Sequence, residues 1–249
     1  MNTTWITGAA GTVGSALAES LAAKGHRLVL TGRDAERLQT LADRLDTPCH
    51  IAAGDVAEPG VAADLRVSAE AAMGPITGFA HCVGSTFIKP LHLTREADFE
   101  AVMKHNFYSA AYCLKAFVDG ARKHREPSAA VLVGSLVAHA GFPNHEAIGS
   151  AKAAVAGLAL STAATYADKG IRVNCVHPAL VVSPLAGRLT DSDEAIARNS
   201  KPNPMQRIGR GPDIAGLMAF LLSDEASWIT GQNINIDGGQ ALIHPLPRG

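Results

Sequence analysis

Short apolar runs alternate with longer stretches in which apolar residues return every three or four positions. The runs at Thr4–Thr7, Arg27–Thr31, Cys49–Ala52, Ile76–Cys82, Ala129–Gly134, Arg172–Val176 and Asn233–Ile236 predict strands. The helical periodicity predicts helices over Val13–Lys24, Ala35–Leu45, Val61–Ala72, Ala97–Lys123, Ile148–Asp168 and Pro212–Leu222, the last with proline in its first turn. Strands alternating with helices imply an α/β fold, a doubly wound parallel sheet flanked by helices on both faces. Right-handed crossovers then bring the strand-to-helix loops to one edge, where ligands bind. The pattern shows no repeat and no linker, so residues 1–249 are expected to form one domain. A long irregular stretch, about 178–211, is punctuated by Pro178, Pro184, Pro202 and Pro204 and reads as a substrate-covering segment.

Composition narrows the function classes. Of 249 residues 47% are hydrophobic and 18% charged, which fits a globular α/β chain and not a disordered one. The formal net charge of −1 gives no pull toward nucleic acid or an acidic membrane surface, and neither partner is expected. The uncharged stretch Ala153–Ala167 falls short of the roughly 18 apolar residues of a membrane span. No charged region followed by an apolar core opens the chain, and the four cysteines stand far apart as in a reduced compartment, so a cytoplasmic protein is expected. Ten histidines invite a metal site, but none falls in an H-x-x-x-H spacing and no metal is expected.

The first strand runs into Thr7-Gly8-Ala9-Ala10-Gly11-Thr12-Val13-Gly14, and a helix follows. Glycines allow a sharp turn and close approach to a pyrophosphate, while the helix start supplies free N–H groups. Gly8, Gly11, Thr12, Val13 and Gly14 are therefore candidate cofactor contacts. After the second strand, Arg33 follows Gly32, where an arginine accommodates a 2′-phosphate, so NADP(H) is expected in preference to NAD(H). The neighbouring Asp34 equally reads as the cap of the helix at Ala35. Asp55-Val56 follows the third strand where an adenine can be held, or where a carboxylate simply stabilises a turn.

The strand–TGxxGxxG–helix unit, Gly134-Ser135 ending a later strand and the helix carrying Lys152 together resemble the short-chain dehydrogenase/reductase family, in particular its 3-oxoacyl-ACP reductase-like members. Ile171-Arg172-Val173-Asn174-Cys175-Val176-His177-Pro178, Thr230-Gly231-Gln232 and Asp237-Gly238-Gly239 extend the resemblance over nearly the whole chain. The resemblance implies a single Rossmann-like domain of about seven strands, a nicotinamide cofactor, a small carbonyl or alcohol substrate, and a homodimer or homotetramer. It assigns chemistry to Asn106, Ser135 and Lys152, and cofactor contacts to Gly84, Lys152 and Pro178. Asn106 lies on the apolar face of its helix, so its amide must be bonded to something specific. Where the family has Asn-Asn-Ala-Gly, this chain has His81-Cys82-Val83-Gly84, and His81 replaces a contact of the central sheet.

The largest departure is Ile148. It stands 13 residues after Ser135 and four before Lys152, where the family places a proton-transferring tyrosine. Isoleucine donates no proton, and its smaller side chain is expected to leave room for water or substrate above Lys152. His145, just ahead of the helix, is a candidate substitute acid because an unperturbed imidazole titrates near pH 6.5, with His139 the weaker alternative. Two readings stay open: an NADP(H)-preferring oxidoreductase with an altered proton donor, and a non-catalytic dinucleotide-binding protein.

Overall fold

The computed structural model describes residues 2–243. Seven strands form one sheet: β1 (Thr3–Thr7), β2 (Arg27–Gly32), β3 (Cys49–Ala53), β4 (Gly78–His81), β5 (Ser128–Val133), β6 (Ile171–Pro178) and β7 (Asn233–Ile236). Their order is β3-β2-β1-β4-β5-β6-β7 and every neighbouring pair is parallel. Eight α-helices accompany them among the described residues: α1 (Thr12–Ala22), α2 (Ala35–Ala42), α3 (Val61–Met73), α4 (Glu96–Met103), α5 (Ser109–His124), α6 (Glu146–Tyr166), α7 (Asp193–Ser200) and α8 (Gly211–Leu222).

The pleat divides the core in two. In β1, Trp5 joins Phe79 and Phe117 on the face covered by α3, α5 and α6, with ring centroids 5.1 and 5.4 Å apart along the series. Ile6, one residue on, points to the opposite face with Leu17, Leu21 and Met218 of α1 and α8. Both faces being apolar is why the strands read as continuous hydrophobic runs. The helical run Glu146–Lys169 is long and apolar enough to cross a bilayer by length and composition. Here α6 lies along the sheet, burying Ala151, Val155, Ala159 and Ala163.

Two elements differ from the sequence expectation. The helix expected over Ala97–Lys123 is α4 and α5 joined by a π-helical turn at Lys104–Tyr108. The proline-punctuated stretch is not wholly irregular: it holds a tight helical turn at Pro184–Leu189 and then α7. Ser192 caps α7 by accepting a hydrogen bond from Ala195 N at 3.2 Å. Only Ala195 of α7 is buried, so its sequence carries almost no apolar period. The segment packs back near the exits of β6 and β7, around a cavity of about 160 Å³ lined by Ala179, Leu180, Asn203, Met205 and Ile236 among others.

Candidate active site

The sheet order reverses between β1 and β4, and there the loops leave in opposite directions and open a crevice. Gly8 sits at φ +70°, and a Cβ on it would lie 2.7 Å from the Cys82 carbonyl oxygen, so only glycine lets this turn pass so close to the exit of β4. Gly11 stands at the N-cap of α1 and brings no side-chain hydrogen bond. The first N–H groups of the helix, on Thr12, Val13 and Gly14, are thus left for an anion.

At the exit of β2, Arg33 is exposed and makes no side-chain hydrogen bond or ion pair among the described residues. Asp34 caps α2, accepting from Arg37 N at 3.1 Å. Arg37, not singled out by the sequence, donates to Ala10 O at 2.9 Å and ties α2 to the glycine turn. Asp55 accepts from Ala57 N at 3.0 Å and so stabilises its own turn, while the Val56 side chain is buried in the core. Pro178 ends β6 at the same edge.

Three residues from distant parts of the chain meet beside this crevice. Asn106 lies in the π turn, fully buried, and its amide is fully used: Nδ2 donates to Ser85 Oγ and to Val102 O, both at 2.9 Å, and Oδ1 accepts from Ser85 N at 3.1 Å. Lys152 is 7% exposed and donates to Val133 O at 3.1 Å. A Cβ on Gly84 would stand 3.0 Å from Asn106 Oδ1 and 3.1 Å from Lys152 Nζ. Glycine here therefore lets the backbone pass closer to amide and ammonium than a methyl group would allow. Lys152 makes no ion pair among the described residues, and burial pushes its pKa down to about 8. The Cys82 and Cys175 thiols near it are pushed up by burial to about 12 and stay neutral. A buried cation without an anion is costly. A cofactor, with hydroxyl and phosphate oxygens, would supply the missing partners.

Ser135 follows β5 and is half-buried, its hydroxyl accepting from Val137 N at 3.4 Å. Its backbone is held by His177, a residue of the Ile171–Pro178 motif: Nδ1 lies 3.2 Å from Ser135 N and 3.0 Å from Ser135 O, and Nε2 lies 2.9 Å from Asn233 Oδ1. His139 is exposed and sits edge-on to His177, ring centroids 4.8 Å apart. His145 is turned to its own loop, its Nδ1 2.7 Å from Pro143 O and its ring against Phe142. No hydrogen bond joins His145 to Ser135, Asn106 or Lys152 among the described residues.

Ile148 does not leave the expected space. It is 4% exposed and belongs to an apolar cluster with Val102, Ala147 and Ala151, against which Phe87, Phe99, Met103 and Val137 pack. Side chains from the loop after β4 and from α4 take up the room. His81, in place of the family asparagine, keeps a stabilising role: Nδ1 pairs with Thr7 Oγ1 at 2.9 Å and Nε2 with Ser109 Oγ at 3.2 Å.

A parallel sheet with a glycine turn at its switch point and a lysine buried beside it defines a dinucleotide-binding oxidoreductase class. A family model described as enoyl-(acyl carrier protein) reductase matches residues 8–241. The chain is 32% identical over 245 residues to 2-(S)-hydroxypropyl-CoM dehydrogenase 3 of Xanthobacter autotrophicus, covering 96% of each chain. It is 32% identical over 231 residues to the inactive 2-(S)-hydroxypropyl-CoM dehydrogenase 2 of the same organism, covering 91% of this chain and all of that one. Levodione reductase superposes with a TM-score of 0.92 at 26% identity over 98% of both chains, and ElxO with NADP bound with 0.89 at 26% identity over 96% of this chain and 98% of that one. The chain belongs to the short-chain dehydrogenase/reductase family, whose members are NAD(P)-dependent oxidoreductases.

Proposed function

We propose that the protein is an NADP(H)-preferring reductase of a small carbonyl compound, reversibly an alcohol dehydrogenase, working with an altered proton donor. The observation that carries this reading is Lys152: a buried ammonium without an anion, beside Gly84 as Asn106 is, and bonded to Val133 O two residues before Ser135. Within it, Thr12, Val13 and Gly14 bind the pyrophosphate, Arg33 the 2′-phosphate, and Gly84, Lys152 and Pro178 flank the nicotinamide half. Bound nicotinamide supplies the hydride. Ser135 polarises the substrate oxygen, its orientation fixed through its backbone by His177. Exposed Arg33 supports the preference for the phosphorylated cofactor, as does the similarity to ElxO, solved with NADP. The same reading includes self-association as a homodimer or homotetramer, for which Tyr108 offers an exposed aromatic surface.

A second reading is a non-catalytic dinucleotide-binding protein. It is favoured by the sealed packing of Ile148 and by the similarity to a dehydrogenase named inactive.

Fluorescence titration with NADPH and NADH, followed by cofactor oxidation against a carbonyl panel, separates the two. NADPH is expected to bind at least about tenfold tighter, the equivalent of one charge-assisted hydrogen bond of about 1.5–3 kcal/mol, and Arg33→Ala to erase the difference. Equal affinities in the wild type remove the NADP(H) preference. Tight binding with no oxidation of NADPH by any carbonyl removes the reductase reading and leaves the binding protein.

A further inference from the structure

The proton that the missing tyrosine would transfer must come from some group near the substrate oxygen, and the structure excludes most of them in turn. Ile148 has none, and Phe87, Phe99, Met103 and Val137 close the space beside it. His145 is bonded to Pro143 O and faces its own loop. From β4, His81 is saturated by Thr7 and Ser109, and burial keeps it neutral; Cys82 holds its proton tightly in the same buried setting. From β6, Cys175 behaves like Cys82, and His177 has both nitrogens engaged by Ser135 and Asn233. From the π turn, Asn106 carries no exchangeable charge and its amide is already fully bonded.

Lys152 is different. Its ammonium has three N–H bonds, and one of them is used, on Val133 O. Val133 precedes Ser135 by two residues, a strand step of about 7 Å, so Nζ is held on the strand whose exit carries Ser135. The other N–H bonds of Lys152 have no hydrogen-bond partner among the described residues, and Gly84, lacking a side chain, brings no methyl group against Nζ.

We propose that in this protein Lys152 is itself the proton donor for carbonyl reduction, taking the place of the tyrosine whose position Ile148 occupies. The inference rests on the reductase reading given above. As the carbonyl carbon gains hydride, the π pair of the C=O bond moves onto oxygen. An O–H bond forms there while an N–H bond of Lys152 breaks, directly or through one water. The alcohol leaves, and the neutral amine recovers a proton from solvent. A lysine pKa pushed down to about 8 by burial suits this task, because the donor is then protonated at neutral pH yet gives up its proton readily. With the flanking thiols and imidazoles neutral, no carboxylate among the groups acting on Nζ holds the charge in place.

Three measurements test it. NMR titration of Lys152, with lysine labelled at Cε in the cofactor-free protein, is expected to give a midpoint about 8; the ordinary value near 10.4 would overturn the proposal. Single-turnover oxidation of NADPH by a carbonyl substrate is expected to slow about tenfold per pH unit above that midpoint, as the donor form is depleted. Lys152→Arg keeps the charge but cannot release its proton, so NADPH affinity should change only a few-fold while turnover falls about 10²–10⁴-fold and loses the alkaline limb. Turnover that survives Lys152→Arg overturns this inference alone. A wild type that binds NADPH and reduces nothing overturns the reductase reading and this inference with it.

Discussion

Ile148 combines two roles that sequence alone separates poorly. Its place in the chain, one helical turn before Lys152, marks it as the residue that replaces a proton donor. Its place in the fold makes it a packing residue of the small cluster that joins α4 to α6. Ile148→Ala should therefore cost about 2–5 kcal/mol in urea unfolding, the usual range for emptying a buried isoleucine site. NADPH affinity in the same variant should hold, since the side chain faces Phe87 and Met103 and not the glycine turn. A loss below 1 kcal/mol would mean that the cluster collapses freely or is not formed. The spacing to Ser135 and Lys152 was readable in the sequence because the first directly follows a regular strand and the second lies on a regular helix. The sealing was not: Phe87 comes from a loop far away in the chain, and only tertiary contact brings it there. His177 was legible as part of a motif, but its grip on the Ser135 peptide needed the register of β5 against β6.

At the scale of elements, the π turn is the informative departure. The apolar residues Phe99, Met103, Ala110, Cys113 and Phe117, with Asn106 among them, keep nearly helical spacing across it, so periodicity predicts one unbroken helix. One residue more per turn is invisible to a pattern that tolerates steps of three and four. What maintains the wider turn is the amide of Asn106, which reaches the carbonyl of Val102 four residues back and clasps Ser85 with its other bonds. Asn106→Ala would strand the Val102 carbonyl and the Ser85 N–H in a buried place, at a cost of about 1–3 kcal/mol. The loop at Gly84 and Ser85 should loosen with it. Hydrogen exchange of the Ser85 amide would report this directly: exchange unchanged from wild type would show that Asn106 does not hold the loop. α7 was illegible for a different reason. A helix with one buried residue has no stripe to detect, and only Ser192 and the acidic pair Asp193 and Glu194 signal its start. Arg188, Arg198 and Lys201 of this segment are exposed, which favours solvation over contact with an anionic substrate.

Across the whole molecule, imidazoles stitch the sheet together, and this gives it a predictable weakness toward acid. His26 pairs with Thr4, His81 links Thr7 to Ser109, and His177 joins the Ser135 backbone to Asn233. Together they tie β1, β4, β6 and β7 to the elements beside them. All three have pKa values lowered first by desolvation, His81 to about 3. A histidine neutral in the fold but protonated once unfolded contributes stability that is complete above its unfolded pKa of about 6.5, and that is lost as pH falls below it. For His81 the loss continues down to about pH 3, at roughly 1.4 kcal/mol per pH unit. The depressed carboxylates Asp98 and Asp213 act at lower pH, below the unfolded carboxylate range. Lys152 acts at higher pH, between its folded pKa of about 8 and its unfolded one. The window from pH 6.5 to 5 thus isolates the imidazoles. Chemical denaturation across it should show stability falling with pH. His81→Asn, which places there the residue the family usually carries, should make the fall shallower by close to one proton. An unchanged slope in that variant would mean that His81 takes up its proton without unfolding the sheet, and that the bonds to Thr7 and Ser109 do not hold its charge state.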